Sequence, residues 1–270
     1  MNSTPSIRPA VDDIAWSAPP AVCWSREKAL ATDFQRSPPS YPVLLKGYAS
    51  HWPLVQASRQ SPEALASYLL RFDSGQPLAA MIAAPEQQGR LFYTEDLRQF
   101  NFTRMKGYLR DALEILASQS NSARPTAFYI GSTSIPQFFP GLESLCQLPG
   151  ISTTVPPNLW LGNSTLVATH NDAADNLACV VSGQRRFTLF PPDQEENLYI
   201  GDNPETPGGR PVSLVNLRAP DYKRFPRFAD ALKKAQIADM APGDVLFVPK
   251  RWWHNVESFG PLNLLVNFWW

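Results

Sequence analysis

Pro242-Gly-Asp-Val-Leu-Phe-Val-Pro-Lys-Arg-Trp-Trp-His254 is the stretch of the chain that limits the fold most narrowly. Gly243 and Asp244 favour a turn, and the apolar run from Val245 to Val248 has the composition of a buried β-strand. The proline that follows ends such a strand. His254 is therefore expected just beyond the strand, where the chain can turn inward, and the stretch predicts a histidine inside a β-rich domain.

A second histidine stands beside a carboxylate in His170-Asn-Asp172. On a β-strand, residues i and i+2 point to the same face, so His170 and Asp172 would project side by side. His254 could then complete a triangle from another strand. Two histidines and one carboxylate on one face of a metal are typical of non-haem Fe(II) oxygenases. Taken alone, the first pair could equally be two polar residues in a surface loop.

Short apolar runs, separated by Gly, Pro, Asn and Asp, recur from about residue 127 onwards. They are Ala127–Ile130, Asn158–Leu161, Leu177–Val181, Phe187–Phe190, Val245–Val248 and Leu262–Phe268. This pattern is typical of a sandwich or barrel, and the 27 prolines suit many short strands better than a helical bundle. One short helix is predicted at 228–235. We therefore expect a mainly β jelly-roll core over about residues 126–270.

The first 125 residues have a different character. Residues 1–40 carry six prolines and little periodicity, which indicates an extended arm along the domain. Residues 41–125 are predicted to be the helical part of a single domain that spans 41–270. Ser61 and Pro62 favour a helix start, and the apolar spacing predicts a second helix over 103–117.

The composition argues against several classes of partner. Lys+Arg and Asp+Glu both number 24, so no basic excess indicates a nucleic acid partner. No signal pattern begins the chain, and no apolar run approaches the length of a membrane span. The three cysteines, Cys23, Cys146 and Cys179, form no metal or redox spacing, which favours a reducing compartment. The sequence predicts a cytoplasmic protein.

Several segments, taken in order, resemble the cupin-like branch of the jumonji-C family of Fe(II)- and 2-oxoglutarate-dependent oxygenases. They also resemble hydroxylases of the factor-inhibiting-HIF type. The segments are Trp160-Leu-Gly-Asn-Ser-Thr165, His170-Asn-Asp172, Asp175-Asn-Leu177, Ser182-Gly-Gln-Arg-Arg-Phe-Thr-Leu-Phe-Pro-Pro-Asp193, Pro242–His254 and Val266-Asn-Phe-Trp-Trp270. The resemblance extends from about residue 42 to 270. It implies a double-stranded β-helix with N-terminal helices packed on it, and it implies Fe(II), 2-oxoglutarate and O2.

The resemblance implies that His170, Asp172 and His254 are the metal ligands. It also implies that the far carboxylate of 2-oxoglutarate meets a basic residue on the strand after the first ligands. Family members usually have lysine there, and this chain has Arg185, which can form a bidentate pair with a carboxylate. A threonine that relatives often use for a further hydrogen bond is replaced by Val167. That bond is therefore missing, or Thr165 or Thr169 supplies it from a shifted position.

Three further residues of the co-substrate pocket follow from the resemblance. Tyr129 matches a tyrosine that hydrogen-bonds the same carboxylate, although it could equally be a core aromatic residue with a satisfied hydroxyl. Asn176 and Asn267 match asparagines near the co-substrate. Their alternative role is to cap a turn or to complete a strand ladder.

The resemblance thus implies a hydroxylase whose substrate, an unidentified protein side chain or small molecule, the sequence does not specify. Two alternatives stay open, namely a cupin that binds metal without oxidation, and a catalytically silent jumonji-like module that acts through protein contacts. Relatives often pair through helices beyond the core, so the sequence leaves both a monomer and a homodimer open.

Overall fold

The computed structural model describes residues 18–270. Residues 1–17 of the arm expected over 1–40 therefore lie outside the described residues. The remainder, residues 18–40, contacts the domain through both its main chain and its side chains. The amide of Ala21 donates to the carbonyl of Ile237 at 2.8 Å, and the ring of Phe34 is fully buried. This segment also contains regular structure, since it forms a short strand and a short helix.

Twelve strands and six α-helices make up the regular structure of the part that the model describes. The strands are β1 (Val22–Cys23), β2 (Val43–Leu45), β3 (Leu78–Ala83), β4 (Arg90–Leu91), β5 (Thr103–Gly107), β6 (Ala127–Ser134), β7 (Pro157–Gly162), β8 (Leu166–Asn171), β9 (Asn176–Phe190), β10 (Gln236–Met240), β11 (Val245–Val248) and β12 (Trp253–Trp269). The helices are α1 (Arg26–Leu30), α2 (Pro53–Gln60), α3 (Pro62–Leu70), α4 (Leu109–Ser118), α5 (Ile135–Phe138) and α6 (Phe228–Lys234).

Two long strands, β9 and β12, join the two layers of the fold because each takes part in both. They pair antiparallel along their length, from Trp253 opposite Phe190 to Trp269 opposite Asn176. The N-terminal half of β9 and the C-terminal half of β12 lie in a larger layer with the order β1-β2-β11-β9-β12-β7-β6-β3-β5. The other half of each strand lies in a smaller layer with the order β10-β9-β12-β8-β4.

Both long strands bend where they pass from one layer to the other. In β9 the bend falls at Gly183, whose φ of 76° lies in the left-handed region that favours glycine. In β12 the pairing is interrupted between Phe259 and Leu264. The side chain of Asn263 bridges this interruption by donating to the carbonyls of Phe259 at 3.0 Å and Gly260 at 3.2 Å. A Cβ added at Gly183 would collide with the side chain of Asn263, which shows that the two bends lie against each other.

The N-terminal helices cover the outer face of the larger layer. The largest buried cluster combines helix residues such as Leu54, Leu65 and Leu109 with strand residues such as Cys179 and Phe247. The next residues along these strands face the opposite way and form a second cluster, as strand alternation requires. Burial on both faces explains why these strands read as continuous apolar runs.

The structure confirms the predicted fold class, a mainly β jelly roll with N-terminal helices. The predicted apolar runs lie within strands, Ser61 caps α3 by accepting from the amide of Ala64 at 3.0 Å, and the short helix near the C-terminal third is α6. The helix predicted over 103–117 is wrong in its first third. Residues 103–107 form the edge strand β5, which pairs with β3, and the helix begins at Leu109. The region 41–125 therefore contributes strands as well as helices.

Within residues 18–270, no helix has both the length and the apolar character that a bilayer crossing requires.

Candidate metal centre

The structure brings together the side chains of His170, Asp172 and His254. His170 lies in β8 directly opposite His254 in β12, and Asp172 follows β8 by one residue. The imidazole centroids are 4.4 Å apart, and Nε2 of His254 lies 3.7 Å from Oδ2 of Asp172. One ligand atom from each residue lies within 4.8 Å of the other two. Such spacing suits three ligands on one face of a single metal ion.

The main chain fixes the orientation and tautomer of both imidazoles. Nδ1 of His170 lies 2.8 Å from the carbonyl oxygen of Ala168, and Nδ1 of His254 lies 3.0 Å from that of Trp252. Because a carbonyl oxygen can only accept, each Nδ1 carries a proton, so Nε2 is the ring nitrogen left to bind a metal in both residues. Metal-binding histidines characteristically donate their second ring N–H in this manner.

The surroundings keep the first histidine neutral. Burial, together with the neighbouring His254, lowers the pKa of His170 to about 4, although Asp172 opposes the shift. A neutral imidazole is the form that binds a metal. The donor set of two imidazoles and one carboxylate fits Fe(II), and three protein ligands leave positions open for small molecules.

The three side chains lie in the wall of a cavity of about 610 Å³ between the two layers. A volume of this size is typical of a pocket for small ligands. Most of the lining is apolar, and the polar groups are few. The cavity-lining residues from the larger layer include Tyr129, Trp160, Asn176, Asn267 and Trp269, and those from the smaller layer include Val167, His170, Arg185, Phe187 and His254.

Arg185 is a buried cation that faces this cavity. Its side chain belongs to a residue only 4% exposed, and within residues 18–270 it forms no ion pair and its Nε has no hydrogen-bond partner. The hydroxyl of Tyr129 is the neighbour of the guanidinium that most opposes the effect of burial on its pKa. Burial lowers the pKa of Arg185 and raises the pKa of Tyr129 to about 12, against the effect of the arginine. An anion in the cavity would offset the cost of this buried charge.

The two asparagines expected near the co-substrate both line the cavity and contact each other. Asn267 accepts from Nε1 of Trp160 at 2.7 Å and donates to Oδ1 of Asn176 at 3.1 Å. The amide of Asn267 is therefore engaged at both ends. The Nδ2 of Asn176 donates to no residue that the structure describes and is free to contact a ligand.

The hydrogen bond that Val167 cannot make is not supplied by either nearby threonine. Val167 lines the cavity, whereas Thr165 and Thr169 are buried outside it. The hydroxyl of Thr165 instead lies 2.8 Å from Oγ of Ser258. Of the two alternatives, the structure therefore favours the one in which this hydrogen bond is missing.

Sequence reasoning missed two charged residues of the cavity wall, Arg104 and Arg210. The sequence predicts Arg104 on a helix, although its strand position opposite Met81 is what turns it toward the cavity. Arg210 follows Gly208 and Gly209, which by themselves indicate only a hinge or a turn. No local signal identifies a loop residue of this kind, because its place depends on contacts far along the chain.

Known proteins provide an independent comparison. Residues 34–270 match the family described as the cupin-like domain. The chain is 38% identical over 113 residues to HSPB1-associated protein 1 of Rattus norvegicus. The matched region covers 41% of this chain and 23% of that protein. It is also 36% identical over 114 residues to lysine-specific demethylase JMJ31 of Arabidopsis thaliana. That match covers 42% of this chain and 20% of the demethylase.

A longer match reaches lysine-specific demethylase 8 of Xenopus tropicalis, with 25% identity over 236 residues, or 86% of this chain and 48% of that protein. The matched regions thus span between a fifth and a half of the length of these curated relatives. The family match itself, at residues 34–270, covers far more than half of the chain. The chain therefore belongs to the cupin-like domain family and has jumonji-type relatives, as its motifs predicted.

Proposed function

We propose that this protein is an Fe(II)- and 2-oxoglutarate-dependent oxygenase that hydroxylates a protein side chain or a small molecule. The observation that carries the proposal is the pairing of two groups in one cavity. One is the His170–Asp172–His254 cluster, in which Nε2 of each imidazole is the ring nitrogen left to bind a metal, and the other is the guanidinium of Arg185, which has no counter-ion among residues 18–270. The two demethylases among the relatives support an enzymatic role.

The proposed roles follow from the chemistry of each side chain. His170 and His254 would hold Fe(II) through Nε2, and Asp172 through its carboxylate. When bound, the iron supplies the oxidative step, in which 2-oxoglutarate, O2 and a substrate C–H become succinate, CO2 and a substrate C–OH. Asp172 would neutralise part of the metal charge, which is costly to leave uncompensated among apolar walls.

The chain's other cavity residues would bind and orient the co-substrate. Arg185 would pair with the far carboxylate of 2-oxoglutarate, and the hydroxyl of Tyr129 would add a hydrogen bond to the same group. Asn176 would donate through its free Nδ2, while Asn267 and Trp160 keep its amide in place. The apolar walls exclude water, which strengthens each of these contacts.

One feature weighs against the two alternative functions. A silent interaction module has no use for a buried guanidinium that lacks a carboxylate partner among residues 18–270, and a cupin that binds metal without oxidation would need an anionic ligand of its own to use it. Such a group lowers stability unless a ligand uses it. The cytoplasmic location, the homodimer and the division into an arm, 1–40, and one domain, 41–270, stay predictions.

Succinate formation from 2-oxoglutarate with Fe(II) and ascorbate tests the proposal, because oxygenases of this kind turn the co-substrate over slowly even without their substrate. We expect succinate from the native protein and none from Asp172→Ala. Binding of Mn(II), a redox-inert substitute, should weaken at least about tenfold in the same variant, since an anionic ligand is lost. The control is Asp111→Ala on the exposed face of α4, which removes the same charge far from the cavity.

The possible results separate the three functions. Metal binding without succinate formation would identify a non-oxidative cupin. Absence of both metal binding and succinate formation would identify the silent module. Full activity of Asp172→Ala would contradict the assignment of the ligands.

A further inference from the structure

Positive charge exceeds negative charge in the cavity wall, although the whole chain is neutral. Three arginines line the cavity, namely Arg104, Arg185 and Arg210, while Asp172 is the one carboxylate found there among residues 18–270. Within the same residues, none of the three arginines forms an ion pair. A divalent metal and a dicarboxylate bring equal and opposite formal charges, so their binding would leave this excess in place.

Two of the arginines border the opening of the cavity. Arg104 lies on the exposed edge strand β5, with its guanidinium 4.8 Å from the ring centroid of Phe100. Its Nη2 donates to the carbonyl of Pro207 at 3.2 Å. Three residues further along this loop, Arg210 donates to Asn171 through Nε at 2.8 Å and through Nη2 at 2.9 Å. The loop 207–210 therefore lies between the two guanidinium groups, whereas Arg185 is buried deep in the cavity.

The contacts of these two arginines do not neutralise them. All their acceptors are carbonyl or amide oxygens, which satisfy hydrogen bonds but carry no net charge. The Nη1 group of each donates to no residue in the described part of the chain. The wall around them is apolar, with Met81, Leu91 and Val212 among its members. A guanidinium with a free N–H group beside apolar surface and without a neutralising partner can bind an anion through a charge-assisted hydrogen bond.

We infer that the substrate has an apolar body with a carboxylate, and that Arg104 and Arg210 bind this carboxylate at the mouth of the cavity. The inference rests on the proposed function for the reaction itself, but the charge preference is a property of binding alone. The carboxylate could belong to a free acid or to an acidic side chain of a peptide, and the two sources present the same group to the arginines. Both arginines are specificity-determining residues in this assignment.

The test measures binding of defined probes to the full-length protein, saturated with Mn(II) and the unreactive analogue N-oxalylglycine so that Arg185 is occupied. One probe is a labelled, acetylated and amidated pentapeptide of alternating leucine and glutamate, and its counterparts carry glutamine or lysine. Hexanoate and hexanamide form the small-molecule pair. We expect the carboxylate member of at least one pair to bind about tenfold more tightly than its neutral partner. The pair that shows this preference identifies the source.

Arginine variants test whether the preference for a carboxylate probe arises at the mouth of the cavity. Arg104→Gln and Arg210→Gln should each reduce the preference to about threefold or less, and high salt should reduce it in the native protein. Arg104→Lys keeps the charge and should keep most of the preference. Arg104→Glu should make the lysine peptide the tightest of the three, which a merely misfolded cavity would not do. The control is Arg36→Gln, which removes an exposed charge outside the cavity wall.

The results distinguish this inference from the proposed function. Equal binding of acidic and neutral probes, or a preference unchanged in Arg104→Gln, would overturn the inference. Failure of Mn(II) and N-oxalylglycine to bind would instead count against the proposed function. The charge preference would then be measured without them and judged by the same variants.

Discussion

At the scale of single residues, Arg185 shows a conflict between stability and binding. Its guanidinium is buried, has no carboxylate within ion-pair distance in residues 18–270, and leaves Nε without a hydrogen bond. The neighbouring hydroxyl of Tyr129 is uncharged and compensates only part of the desolvation cost. The free protein is therefore less stable than its packing alone would make it.

Replacing this arginine with an apolar residue should stabilise the protein without ligand. We expect Arg185→Met to raise the free energy of unfolding by about 1–3 kcal/mol, because buried charges are often less favourable than apolar residues of similar volume. The same variant should lose most of its affinity for 2-oxoglutarate. Urea denaturation and titration with 2-oxoglutarate measure the two effects.

The adjacent residue provides the control. Arg186 is half-buried and forms a two-point ion pair with Asp239 at 2.7 and 3.0 Å. Arg186→Met should lower the free energy of unfolding by up to about 1 kcal/mol. If Arg185→Met lowered the free energy of unfolding as much as Arg186→Met does, the guanidinium of Arg185 would have a partner that satisfies it.

At the same scale, the sequence predicted the residues of the site unevenly. His170, His254 and Arg185 lie on strands and Asp172 directly follows one, so their positions follow from strand alternation and from the motifs around them. Arg104 and Arg210 lie at an edge strand and on a loop. Their orientation depends on which distant residues they contact, which a single sequence does not specify.

At the scale of elements, the bends of β9 and β12 set the geometry of the cavity. Gly183 combines a positive φ with a neighbour that leaves no space for a Cβ, since the amide of Asn263 lies against it. That amide in turn holds the bend of β12 through two carbonyls. The two bends therefore form one joint between the layers.

A methyl group at this joint should destabilise the fold strongly. We expect Gly183→Ala to lower the free energy of unfolding by roughly 2–5 kcal/mol, because backbone strain and overpacking add together. Gly75 is a matched control, since its φ of 72° is similar and no atom lies within 4 Å of an added Cβ. Gly75→Ala should cost only about 1–2 kcal/mol. Equal losses in the two variants, measured by urea denaturation, would contradict the role assigned to Asn263.

The elements that the sequence misjudged have a physical explanation. Met105 and Tyr108 fit a helical apolar stripe, yet both are exposed, at 48% and 55%. Pairing with β3 from Leu78 to Ile82 draws residues 103–107 into the sheet, and the helix starts only after Gly107. Local periodicity cannot reveal such pairing, because its main-chain hydrogen bonds come from residues more than twenty positions away.

At the scale of the whole molecule, ligand binding should be visible as added stability. A ligand present at a hundred times its dissociation constant contributes about 2.7 kcal/mol to the folded state. We expect Mn(II) with N-oxalylglycine to raise the Tm by about 5 °C. Thermal unfolding monitored by circular dichroism provides the measurement.

The choice of metal provides the control for this experiment. Ca²⁺ prefers six or more oxygen ligands, and the imidazoles of His170 and His254 cannot supply them. Ca²⁺ in place of Mn(II) should therefore leave the Tm unchanged. An equal rise with Ca²⁺ would indicate an effect of ionic strength or a binding site elsewhere.

The layered architecture as a whole could be predicted from the sequence because its strands are buried on both faces and leave unmistakable apolar runs. The order of the strands could not, since β9 and β12 exchange partners at their bends, and no local pattern in either strand records which neighbour lies beside it.

The continuity of β9 and β12 has a consequence for how small molecules enter and leave the cavity. Because the same two polypeptide segments form part of both walls, the walls cannot be drawn apart without breaking main-chain pairing along their length. We therefore expect small molecules to enter and leave beside β5 and the loop 207–210, where the exposed Arg104 lies in the cavity wall. A bulky side chain placed there should slow both steps without disturbing the strand pairing.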